Sequence, residues 1–124
     1  MQALKLAWLG TRTGDFPATT AFFRDTLGLA VHHSEEDFMI LTLPDGARVE
    51  VFGPRTAHNR HFTHPVAGFL VEDLEAAVRE LVSAGVEIVQ PPRGDGEDGW
   101  VHVRGPDGAL YELTRDSRQL ASRR

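Results

Sequence analysis

The apolar residues of this chain change spacing in a fixed order, and the order appears twice. LKLAWLGT near the start reads as a strand, after which TGDFPATTAFFRDTLG takes up helical spacing and puts Phe16, Thr20, Phe23 and Leu27 on one face. Asp15 is placed to cap that helix, Pro17 suits its first turn and Gly28 stops it. LAVHHS, DFMILTL and ARVEVF follow as three short strands, the last two joined by a Pro-Asp-Gly turn. The predicted order is βαβββ over residues 3–54. The second half repeats it over residues 65–115. PVAGFLV is an apolar strand, DLEAAVRELVSAG is a helix capped by Asp73 with Leu74, Ala77, Val78 and Leu81 on its apolar face, and Gly85 closes it. VEIVQ, WVHVRG and ALYELT supply three more strands. Residues 55–64 form a Gly- and Pro-flanked linker, and residues 116–124 a polar tail expected to fray.

The repeat extends to single residues. PDGARVEV begins at Pro44 and PDGALYEL at Pro106, and in both copies a glutamate, Glu50 or Glu112, follows the aspartate at the same interval. A common β-turn explains three matching residues; it does not explain the matching helix, glycine stop and glutamate. With 124 residues the two copies must share one domain's core.

Composition narrows the function. A net charge of −5 argues against a phosphate-binding surface, so nucleic acid is excluded as a partner. With no cysteine there are no disulfides, thiol nucleophiles or cysteine zinc sites. No apolar run is long enough to span a membrane, and MQALKLAWLGTRTGDF lacks the features of a secretory signal, so a cytoplasmic protein is expected.

Over residues 4–114 the pattern resembles the vicinal oxygen chelate superfamily, which includes glyoxalase I, extradiol dioxygenases, fosfomycin-resistance enzymes and bleomycin-resistance binding proteins. The resemblance rests on DFPATTAFFRDTLGL, EDLEAAVRELVSAGV and RGPDGALYELT. It implies an α+β fold in which two βαβββ modules form curved mixed sheets around a cavity. It also implies metal ligands on the first and last strands of each module. The last-strand positions match Glu50 and Glu112, but the first-strand positions, seven residues ahead of each capping aspartate, hold Trp8 and Val66. Indole offers no accessible lone pair and valine offers no donor. Two carboxylates without imidazole suit a hard divalent ion better than Zn²⁺, Ni²⁺ or Fe²⁺. No cofactor is therefore expected, and if a metal is held its ligands are Glu50, Glu112 and His102.

Alternation within the strands selects further site residues. In GWVHVRG it places Trp100, His102 and Arg104 on one face and the valines on the helix face. In ARVEVF it places Arg48, Glu50 and Phe52 opposite Val49 and Val51, and in PVAGFLV it groups Val66, Gly68 and Leu70. The ligand-binding candidates are thus Trp8, Arg48, Glu50, Phe52, Val66, Leu70, Trp100, His102, Arg104 and Glu112, with Glu50, Glu112 and His102 also the catalytic candidates. The glutamates have three available partners: Arg48 and Arg104, a protonated His102, or the amine of a ligand. The arginines are the expected ones. Against these readings, His102 also fits a hydrogen-bonded wall residue and Trp8 plain core. In HNRHFTH the residues His58, His61 and His64 lack a helix or strand to converge them, and His32 and His33 alternate in a strand, so neither group is expected to chelate.

Three functions follow from these residues. The first is a metal-independent binder of a planar or aromatic small molecule held by Trp8, Trp100 and Phe52. The second is an enzyme, a glyoxalase-type lyase or isomerase or a ring-cleaving dioxygenase with an altered metal site. The third is a structural dimer module. A homodimer is expected on the pattern of relatives of this size.

Overall fold

The computed structural model describes residues 1–123. The fold is α+β: β1 (Leu6–Arg12), α1 (Phe16–Ala21), β2 (Ala30–Glu35), β3 (Phe38–Thr42) and β4 (Arg48–Phe52) form the first βαβββ module. β5 (Val66–Leu70), α2 (Leu74–Ser83), β6 (Glu87–Gly94), β7 (Gly99–Arg104) and β8 (Leu110–Arg115) form the second. The strands follow the hydrogen-bonded order β2-β3-β4-β1-β5-β8-β7-β6, mixed because β5 and β8 run parallel while the β2/β3, β3/β4, β6/β7 and β7/β8 ladders are antiparallel. Two compact units are distinguished. One is Leu9–Pro65; the other joins Met1–Trp8 to the chain from Val66 onward.

In the Leu9–Pro65 unit, Asp15 caps α1 by accepting the Ala18 N–H at 3.1 Å. The helix runs on as a π-helical turn, Phe22–Thr26, in which the Leu27 N–H reaches the Phe22 carbonyl at 2.9 Å. The wider turn rotates the positions after it, so the single face expected for Phe16, Thr20, Phe23 and Leu27 ends early. Thr20 is buried and Phe16 and Phe23 pack on the core, but Leu27 is 54% exposed. That core is Met39, Leu41, Val49 and Val51, the helix-facing sides of β3 and β4.

The linker is tied down by Arg12, which donates to the carbonyls of His58 at 2.7 Å, Gly53 at 3.2 Å and Thr56 at 3.3 Å. Phe62 is buried edge-on to Phe52, with ring centroids 6.0 Å apart. Gly53 leaves room for the Asp37 carboxylate, which would have to move aside if a Cβ were added there.

In the other unit, Asp73 caps α2 through the Ala76 N–H at 2.9 Å and Gly85, at φ +78°, ends it. The apolar face of α2 covers Val71, Val101, Val103 and Leu113. β6 runs beyond VEIVQ through Pro91 and Pro92, which are tolerated because β6 is an outermost strand and its pairing with β7 is irregular between Gln90 and Arg93. The tail is ordered rather than frayed. Asp116 caps a third helix, α3 (Ser117–Ala121), whose Gln119 and Leu120 are buried, and Leu120 packs with Ala7, Leu70 and Leu4. Of the expected tail only Arg124 lies outside the described residues. Replacement of the α2 cap, Asp73→Ala, is expected to lower the stability of the chain by about 1 kcal/mol, with Asp73→Asn retaining most of it; urea denaturation monitored by circular dichroism measures both.

Candidate functional site

The chemistry-bearing residues of the second unit meet at the middle of β5, β8 and β7. His102 lies directly opposite Glu112 across the β7/β8 ladder, and Glu112 lies opposite Gly68 across the β5/β8 ladder. Alternation sends His102 and Glu112 to the face away from α2, and their side chains meet there with Nε2 and Oε1 2.9 Å apart. Both are withdrawn from water: His102 is fully buried and Glu112 3% exposed. One proton lies between Nε2 and Oε1, and the bond is charge-assisted when imidazolium faces carboxylate. The Trp8 indole stacks over the imidazole, centroids 6.3 Å apart and planes inclined by 29°.

Gly68 makes room for this arrangement. A Cβ on it would approach Trp8 Cβ to 2.9 Å and Glu112 Oε2 to 3.2 Å. The signal for it was legible as an isolated glycine inside an apolar strand, a common mark of close approach.

The remaining sequence candidates are distributed differently. Val66 and Leu70 are buried, but Leu70 is core beneath Leu120 of α3 rather than an open wall. Trp100 is partly exposed, opposite Thr114 on one side and Arg93 on the other. Arg104 is exposed and donates to the Gly108 carbonyl at 2.9 Å, with Glu87 3.5 Å away. The expected arginine partner of Glu112 is thus replaced by His102, because Arg104 sits at the strand end, where its guanidinium reaches the β7/β8 turn. Arg48, Glu50 and Phe52 belong to the other unit. There Arg48 and Glu50 are half-buried, opposite Thr42 and Ile40, and Phe52 is stacked on Phe38 at 5.3 Å. In the linker, His58 packs on Phe38 and His61 on Phe62, and desolvation holds the His61 imidazole below its ordinary pKa.

Comparison with protein-family models matches residues 5–113 to the Glyoxalase/Bleomycin resistance protein/Dioxygenase superfamily. The chain belongs to that superfamily. Among solved structures it is similar to methylmalonyl-CoA epimerase from Mycobacterium tuberculosis, with 22% identity, 97% of this chain and 93% of the other covered, and a TM-score of 0.73. A Streptomyces coelicolor methylmalonyl-CoA epimerase in complex with 2-nitronate-propionyl-CoA gives 20% identity, coverage of 94% and 99%, and a TM-score of 0.71. A superfamily member from Vibrio splendidus gives 21% identity, coverage of 90% and 98%, and a TM-score of 0.64. At these identities the likeness is one of fold. Comparison with curated protein sequences gives no significant match.

For a superfamily member, the donor set in this unit does not fit the usual metal centre. Trp8 and Val66 supply no ligand atom, and the His102 and Glu112 donors that remain are turned toward each other. Among the described residues no three His, Asp or Glu side chains converge in a metal-binding group. Two substitutions probe the geometry. Gly68→Ala is expected to destabilise the chain by about 1–3 kcal/mol through overpacking against Trp8 and Glu112. Replacing His102 by Leu, which leaves the Glu112 carboxylate buried without this bond, is expected to cost about 3–5 kcal/mol, more than the same change made together with Glu112→Leu. Chemical denaturation of the two singles and the double closes the cycle.

Proposed function

We propose that this superfamily member binds a small planar or aromatic molecule against Trp8 and the His102–Glu112 pair, without the metal centre that many relatives use. The observation that carries this reading is the stack of Trp8 on His102 while His102 holds Glu112. An indole stands where the resemblance assigns a ligand to the metal, and it supplies a flat apolar surface of the kind that small-molecule sites use for most of their contact. The hydrogen-bonded pair behind it supplies the polar group that orients a ligand. Val66 is an apolar wall of the same site, with Trp100 and Arg104 nearer solvent on the same strand face. Arg48, Glu50 and Phe52 are ligand residues of the other unit by the same alternation.

The second reading is an enzyme, a lyase, isomerase or dioxygenase with an altered metal site of Glu50, Glu112 and His102. Named enzymes, the methylmalonyl-CoA epimerases, share the fold, and the fold by itself does not choose between this reading and the first. Among the described residues no helix is long and apolar enough to cross a membrane. A cytoplasmic homodimer is part of the same proposal and rests on the sequence pattern alone.

Elemental analysis and a thermal-shift screen separate the readings. The purified chain is expected to carry well under one equivalent of transition metal. An aromatic ligand at 100 times its dissociation constant should add about 2.7 kcal/mol of stability, and Trp8→Ala should weaken its binding about tenfold. Near one equivalent of Zn, Ni, Co or Fe, released by Glu112→Gln, establishes the enzyme reading instead. For assembly, sedimentation velocity at micromolar concentration is expected to show a species of twice the 13.7 kDa chain mass; a stable monomer overturns the dimer.

A further inference from the structure

The geometry points to an anionic ligand for the site on the second module: a planar aromatic carboxylate whose ring lies along Trp100 and whose charge is met by Arg93. The inference deepens the binding reading above and rests on it. It comes from β6, which yields no site residue by simple alternation. Glu87 stands opposite Arg104, Gln90 opposite His102 and Arg93 opposite Trp100. Residues directly opposite in an antiparallel pair share a face, so all three lie on the side of the His102–Glu112 pair. Strict alternation from Gln90 would have sent Arg93 to the α2 side. The irregularity between Gln90 and Arg93 returns it to the His102 face, and re-aiming a side chain beside a site is a known use of a bulge.

The side chains agree with this placement. With the Gln90 amide assigned in the orientation that satisfies both groups, its oxygen accepts from Arg93 Nε at 3.1 Å and from Nη2 at 3.2 Å. Gln90 thus holds the guanidinium on the same face as His102 without neutralising it. The other charges on that face are already matched: Glu112 is bonded to His102, and Glu87 lies 3.5 Å from Arg104. Arg93 is exposed, and among the described residues no carboxylate pairs with it. Its Nη1 side keeps N–H groups for a further acceptor, and a carboxylate meets such an edge with paired charge-assisted bonds. Across the strand pair, Trp100 presents an indole that is 37% exposed. A flat apolar surface beside a cation selects an aromatic ring that bears an anionic group. Glu87 and Glu112 on the same face oppose a second negative charge, so a carboxylate fits better than a phosphate dianion.

The test titrates the full chain by calorimetry with naphthoate, neutral naphthamide, naphthylmethylammonium and naphthyl phosphate. Naphthoate is expected to bind about tenfold tighter than the amide, and Arg93→Gln to abolish that advantage while the affinity for the amide stays unchanged. Arg93→Lys is expected to restore only part of it, because an ammonium cannot offer the paired edge. Trp100→Ala is expected to weaken naphthoate and naphthamide alike, about fivefold. The inference is overturned if the amide, the ammonium or the phosphate binds as tightly as naphthoate, or if naphthoate binding is unaltered by Arg93→Gln or by Trp100→Ala. Any of those results with binding still weakened by Trp8→Ala leaves the binding reading standing. If none of the probes binds at millimolar concentration, both the inference and the reading beneath it fall.

Discussion

A carboxylate and an imidazole that are both removed from water must satisfy each other, and the centre of the second module is arranged around that requirement. An isolated buried charge costs several kcal/mol, so neither Glu112 nor His102 is tolerable alone at its depth. Cross-strand pairing puts them opposite each other, and a slip of one residue by either strand would turn that strand's member of the pair to the helix face, away from its partner. The pair therefore fixes register as well as local charge. Gly68 follows from it, because a side chain on the neighbouring strand would collide with the carboxylate and with Trp8.

The same repeat has been put to different uses in its two copies. Glu50 and Glu112 hold equivalent positions after equivalent turns, but Glu112 is sealed beside a histidine whereas Glu50 is half-buried on β4. The histidine comes from the strand before the turn, where the first copy has Ile40 opposite its glutamate. The two copies thus differ both in the cross-strand partner of the glutamate and in its burial. A shared fold with methylmalonyl-CoA epimerases therefore says little about this chain's reaction or ligand, since function resides in the site and not the scaffold.

The helices illustrate a complementary point. α2 obeys its sequence throughout: cap, apolar face and glycine stop all agree, and nothing in the tertiary structure opposes them. α1 starts as its sequence dictates and then widens into a π-helical turn, which turns Leu27 outward. Hydrophobic periodicity cannot register an inserted residue of that kind until the packing surface is known.

What the sequence determined by itself was local and periodic. The order of elements, both aspartate caps, the glycine stops, the βαβββ repeat and the helix-facing valines of β4 and β7 all follow from short-range spacing, because period and capping are set by neighbours within a few residues. Membership of the superfamily was legible for the same reason. Only the tertiary structure decided partners. Which side chain on β7 bonds Glu112 depends on the register of the strand laid beside β8: Arg104, correct in face, reaches the turn from the strand end, and His102 lies opposite the carboxylate. The order in the tail was hidden in a polar run whose one buried leucine finds its contacts on β1 and β5, more than forty residues away in the chain. Asp116 signalled a cap, but a five-residue helix exists only where a surface is present to receive it, and no window of sequence contains that surface.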